Sequence, residues 1–188
     1  METKKLVQTA MFTALVLLAT VVFKIQTPVI GYIHLGDAFV LLAGIILGPL
    51  SGGLAAGLGS ALADFVGGYL IWCPGTFIIK FLTAFTAAKL FHGLSRFYNK
   101  SGCHLSQSVA SGIAGESLMV LGYFLYNILV VMFGNGSFSA DGFSESVIVS
   151  TVEIPFNIIQ GAAGIAIGAV LLPIFNKIAK RINGQVMV

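Results

Sequence analysis

Four ionisable side chains, His34, Asp37, Asp64 and Lys80, stand among clustered glycines inside an otherwise apolar run. A charge in hydrocarbon costs about 2.5 to 3.5 kcal/mol even on lenient scales, so Asp64 and Lys80 must face protein or a wet hollow rather than lipid. Further along, Glu116, Val120, Tyr123 and Asn127 are offset by four, seven and eleven residues, and Glu153, Asn157 and Gln160 by four and seven. Each set therefore shares one face of a helix. Together these residues suit a pocket for a small polar molecule of aromatic character, with rings covering its faces and amides and carboxylates reading its edges. Candidate binding residues are His34, Asp64, Lys80, Glu116, Tyr123, Asn127, Glu153 and Asn157. Two other roles stay open: Lys80 and Asp64 as a structural ion pair, and Glu116 as a proton relay. His34, beside Tyr32, either closes over a ligand or caps the following helix, whereas His92 and His104 belong to a basic flank. No trio of metal ligands is visible, Gly57 to Ser60 is a poor nucleophile turn, and no phosphate-cradling Gly-Lys-Ser/Thr loop occurs. No catalytic residue, metal or cofactor is expected.

The elements that must position these groups follow from composition. The chain has 188 residues, 57% hydrophobic and only 9% charged, against roughly 25% charged in soluble domains. It is expected to be an all-α integral membrane protein, a single domain over residues 1–188. A span needs about 20 apolar residues, which leaves room for at most six or seven spans, of which six are expected, and none for a soluble catalytic domain. The run from Leu6 to Phe23 is too long for a secretory signal and lacks a clear cleavage site, so it is the first span. Spans are expected near residues 5–24, 38–50, 51–71, 76–95, 106–133 and 145–176. Gly48 and Pro49 cut the second short, and Thr76 is a plausible N-cap for the fourth. The segment from Lys24 to Asp37 reads as a loop able to fold over a pocket, with Tyr32, Tyr69 and Trp72 as interface anchors.

Eight of the ten Lys and Arg residues fall in three clusters, at the N-terminus, between the fourth and fifth spans, and at the C-terminus. These look like membrane flanks, which argues against nucleic acid as a partner despite the net charge of +3. Cytoplasmic flanks collect Lys and Arg. All three clusters share that side only if four and then two crossings separate them, so both termini are expected in the cytoplasm and the polar groups in the outer layer. Cys73 and Cys103 then lie on opposite sides and form no disulfide. No inverted repeat of the usual transporter kind is evident.

The runs Tyr32-Ile-His-Leu-Gly-Asp37, Leu47-Gly-Pro49, Gly59-Ser-Ala-Leu-Ala-Asp64 and Trp72-Cys-Pro-Gly-Thr-Phe-Ile-Ile-Lys80 resemble the substrate-binding S components of energy-coupling factor (ECF) vitamin transporters, riboflavin-type branch. The likeness extends over nearly the whole chain in length, span count and termini, and is densest from Tyr32 to Lys80. It implies a six-helix membrane protein that binds a vitamin from outside, using outer loops as lids. It also implies partnership with a transmembrane coupling subunit and two ATPase subunits, and a toppling motion that carries the ligand inward. Ala10 and Ala14 match the family's Ala-xxx-Ala pattern for meeting the coupling subunit. The substrate is expected among riboflavin, pyridoxine and hydroxymethylpyrimidine, with Lys80, Glu153, Asn127 and Asn157 favouring the smaller rings. Two other classes stand beside this one: an intramembrane hydrolase or transferase using Glu116 or His34, and a self-contained proton-coupled carrier.

Overall fold

A computed structural model describes residues 3–28, 31–97, 104–136 and 138–183. Helix α1 (Thr3–Val22) leads into a short antiparallel hairpin, β1 (Lys24–Gln26) and β2 (Tyr32–His34), followed by α2 (Asp37–Leu47), α3 (Pro49–Val66), α4 (Cys73–Phe97), α5 (His104–Asn135) and α6 (Ala140–Asn183). Four of these helices, α1, α4, α5 and α6, are long and apolar enough to cross a membrane. Leu6, Leu18, Leu62, Leu82, Leu121 and Ile158 are among many large apolar residues left exposed around the bundle. A soluble protein would hide such a belt, whereas lipid solvates it.

The break after α2 has the cause the sequence suggests. Gly48 adopts a positive φ of 83°, which a side chain would resist, and Pro49 opens α3 with its φ already set and no N–H to satisfy. Nine of the eleven residues of α2 are buried, because the helix packs against α1, α3, α4 and α6. Close approach makes this enclosure possible: Gly44 of α2 lies against the Ala84 backbone, and a Cβ on Gly57 of α3 would come within 2.8 Å of the Phe77 carbonyl oxygen. The main apolar core, including Phe12, Leu42, Ile45, Phe91 and Leu172, occupies the end of the bundle away from the hairpin. The hairpin end is left for polar groups.

Three expectations need correction. The chain is not purely α-helical, since residues 24–34 pair Lys24 with His34, Ile25 with Ile33 and Gln26 with Tyr32. Helix α4 starts at Cys73, so Thr76 lies inside its first turn, its N–H bonded to the Trp72 carbonyl at 2.8 Å, and does not cap it. Helix α6 begins at Ala140, ahead of the expected start near 145, and runs through Pro155 and Pro173 to Asn183. Lys100 and Cys103 lie outside the described residues.

Candidate ligand-binding site

The hairpin folds back over the bundle and roofs a cavity of about 50 Å³, within about 520 Å³ of unfilled space counted out to its mouth. Every element but α2 and β1 contributes to the wall, with helical periodicity deciding which residues do so. Ser60 and Asp64 from α3, Tyr123 and Asn127 from α5, and Glu153, Asn157 and Gln160 from α6 are spaced one or two turns apart on their helices and face the same hollow. Thr20 at the end of α1, Thr76 in α4 and His34 in β2 complete the polar lining, and Tyr32, Tyr69, Trp72 and Tyr123 supply rings.

A hydrogen-bond network ties the roof down. The Tyr32 hydroxyl donates to Asp64 Oδ1, Thr27 donates to Glu153 Oε1 at 3.0 Å, and the His34 backbone N–H donates to Gln160 Oε1 at 3.0 Å. The Lys24 ammonium lies 3.9 Å from the Tyr32 ring centroid and 4.0 Å from that of Tyr69, a geometry in which the ring quadrupoles attract a cation. Tyr69 in turn meets Trp72 edge-on at 5.7 Å, and the Trp72 indole N–H donates to Asn127 Oδ1 at 3.1 Å. One aromatic band therefore joins the hairpin to the α3–α4 turn. Burial lowers the pKa of Lys24, partly offset by the Asp64 charge, and raises that of the Tyr32 phenol, with Asp64 adding to the effect. His34 is 7% exposed, and burial holds its pKa at about 4 against the pull of Asp37. The neutral ring accepts the Gly36 N–H on Nδ1 at 3.0 Å, which leaves its proton on Nε2.

Six of the eight candidates, His34, Asp64, Tyr123, Asn127, Glu153 and Asn157, line this cavity. Lys80 and Glu116 do not. Lys80 pairs with Asp37 rather than Asp64, both fully buried, and Asp37 Oδ2 takes a second bond from Gln160 Nε2 at 2.7 Å. Asp37 opens the enclosed α2 and has no solvent to turn to, whereas Asp64 is served by Tyr32. The ion pair thus sits behind the cavity wall, with the ammonium 5.3 Å from the Tyr123 ring centroid. Glu116 shares its helix face with Tyr123 and Asn127 but lies eleven residues before Asn127, about 16 Å along the axis at 1.5 Å per residue. At that depth it meets the α5–α6 seam, against Gly161 and beside Ser117, Val120 and Ile165.

Sequence reasoning passed over Thr20, Ser60, Thr76, Tyr69 and Trp72 as lining residues. Hydroxyls on apolar helices look like packing residues, and aromatics near helix ends look like interface anchors. Only the i, i+4 spacing of Ser60 and Asp64 could have joined the first of these to the site. Among the described residues no group of three His, Cys, Asp or Glu side chains could hold a metal. The arrangement can grip a flat polar molecule.

A protein from Pyrococcus woesei, described only as an uncharacterized protein in a gap 3' region, is 29% identical over 163 residues, covering 86% of this chain and 95% of its own length. The fold is similar to the solved S component of a bacterial ECF transporter, with a TM-score of 0.63 and 19% identity, covering 97% of this chain and 99% of that one. Residues 1–180 match the family described as ECF-type riboflavin transporter, S component. The chain belongs to that family, whose members are substrate-binding subunits of transporters and not enzymes.

Proposed function

We propose that this S component captures a small heteroaromatic vitamin or vitamin precursor, of the hydroxymethylpyrimidine, pyridoxine or riboflavin class, from the outer face. It then delivers the ligand for ATP-driven import by a coupling subunit and two ATPase subunits. The observation that carries this is the cavity under the hairpin, where four aromatic rings and the polar side chains of Asp64, Asn127, Glu153 and Asn157 meet. In this proposal all six helices belong to the membrane bundle, both termini are cytoplasmic, and the hairpin is the outer lid. The basic clusters flanking the helices support that orientation. Ala10 and Ala14 are exposed on α1, which suits a close-packing face for the coupling subunit.

Trp72 is the sole tryptophan and lines the cavity, so its fluorescence reports occupancy directly. Titrating the purified chain in detergent, without ATP, with hydroxymethylpyrimidine, pyridoxine and riboflavin should give saturable quenching by one of them. Native mass spectrometry of freshly extracted protein should show the same mass retained. No saturable signal across a broad vitamin panel would overturn the proposal.

A further inference from the structure

We propose that Thr20, Ser60 and Asp64 form a recognition subsite for the N–H-bearing edge of an unphosphorylated, neutral or cationic nitrogen heterocycle. This rests on the vitamin-capture function proposed above. All three side chains line the cavity, at 1%, 1% and 3% exposure. Thr20 Oγ1 and Ser60 Oγ accept or donate no hydrogen bond among the described residues, and Asp64 Oδ2 has none of ordinary geometry, the Thr76 hydroxyl acting on that carboxylate from nearby. A buried polar atom without a partner is costly, and most such atoms in native proteins are paired. Three on adjoining helices, all lining one hollow, are best explained by a partner that arrives with the ligand.

The rest of the cavity wall is different. Asn127 is engaged by Trp72, Glu153 by Thr27, and both ends of the Gln160 amide by His34 and Asp37. Ser60 and Asp64 stand one turn apart on α3, and α1, which carries Thr20, packs along α3. Gly36 brings Thr20 close as well, since a Cβ there would touch both the Thr20 hydroxyl and the His34 ring. On this side of the cavity the uncommitted capacity therefore lies along two packed helices.

Its chemistry defines the ligand edge. Asp64 Oδ1 is occupied by Tyr32, so Oδ2 asks for a donor, and an ionised carboxylate cannot supply one itself. The two hydroxyls donate or accept by rotation, which matches ring nitrogens or carbonyls flanking a ligand N–H. Tyr32, Tyr69, Trp72 and Tyr123 cover the plane of the ring. Two carboxylates line the cavity and no Lys or Arg does, so with Lys24 over the Tyr32 and Tyr69 rings as the one nearby offset on the roof the balance disfavours a phosphate or carboxylate on the ligand.

The test compares full-length wild type with Thr20→Val, Ser60→Ala and Asp64→Asn, the last retaining an acceptor for Tyr32. The probes are hydroxymethylpyrimidine, pyridoxine and riboflavin, together with the 5'-phosphates of the latter two. For whichever vitamin binds the wild type, Thr20→Val and Ser60→Ala should each weaken binding by about 5- to 10-fold, and Asp64→Asn by roughly 100-fold. The phosphorylated partner of that vitamin, where the panel includes one, should bind at least about 100-fold more weakly. The ligand-free Tm of Thr20→Val and Ser60→Ala should be unchanged or raised, because each removes a polar group that has no protein partner. Affinities within about twofold of wild type for both hydroxyl variants, or a ligand-free Tm that falls along with affinity, would overturn the subsite while leaving vitamin capture standing. If no vitamin binds the wild type, the function proposed above fails first and the subsite falls with it.

Discussion

Replacing Lys80 by Met removes the ammonium that neutralises Asp37, in a place where neither side chain reaches solvent. Gln160 still donates to Asp37 Oδ2, but a neutral amide does not cancel the charge. Breaking one side of a buried ion pair costs about 3 to 5 kcal/mol, because the remaining charge is stranded. For a chain of this size roughly 2 to 4 °C of Tm accompanies each kcal/mol, so a fall on the order of 10 °C is expected. Replacing both partners with apolar residues of similar volume is often neutral, so Lys80→Met with Asp37→Leu should recover most of the loss. Lys80→Met with Asp64→Leu should recover none, since Asp64 is hydrogen-bonded to Tyr32 instead. Thermal unfolding of the purified variants in detergent at neutral pH, followed by Trp72 fluorescence, measures all three. If the Asp64 double variant is rescued and the Asp37 one is not, or if Lys80→Met alone shifts Tm by less than about 2 °C, the pairing drawn from this structure is wrong.

The pKa of His34, near 4 when folded, lies below the usual value of about 6.5. Its contribution to stability is therefore complete above pH 6.5 and is lost as pH falls toward 4, by on the order of 3 kcal/mol. Wild-type Tm should drop across that window and His34→Gln should remove most of the slope, so superimposable profiles would count against a buried neutral imidazole. Gly57→Ala, whose methyl would press on the Phe77 carbonyl at 2.8 Å, should destabilise by about 1 to 3 kcal/mol. Gly93→Ala, with nothing within 4 Å of the added atom, should be neutral or gain about 0.5 to 1 kcal/mol. Equal shifts in thermal unfolding would refute the close approach of α3 and α4. Ala10→Trp with Ala14→Trp should leave vitamin binding and Tm intact while abolishing co-purification with the coupling and ATPase subunits; unchanged co-purification would place that contact elsewhere.

Hydropathy and punctuation carried the helical plan, because long apolar runs and the Gly48–Pro49 pair leave few alternatives. Side-chain depth was legible for three groups of four: counting along α3, α4, α5 and α6 brings Asp64, Lys80, Asn127 and Glu153 to one outer layer, and all but Lys80 line one cavity. Rotation of α2 was not legible. Nine of its eleven residues are buried, so it has no polar face to betray its orientation, and nothing in the sequence tells whether Asp37 or Asp64 meets Lys80. The hairpin escaped notice because three-residue strands are too short for an alternating pattern. Glu116 was grouped with the site by its helix face, and periodicity gives the face of a residue but not the level at which a pocket ends.

The enclosure of α2 bears on how the protein is made. Eleven residues span about 16 Å, well short of the roughly 30 Å of hydrocarbon, and the helix carries a carboxylate whose counter-charge is on α4 and is synthesised 43 residues later. Such a segment should enter the bilayer poorly as an autonomous unit during translation. It must wait, with α3, until α4 has emerged, so the bundle's first stable insertion intermediate should contain the chain through Lys80 and beyond, and shorter nascent chains should remain exposed to degradation.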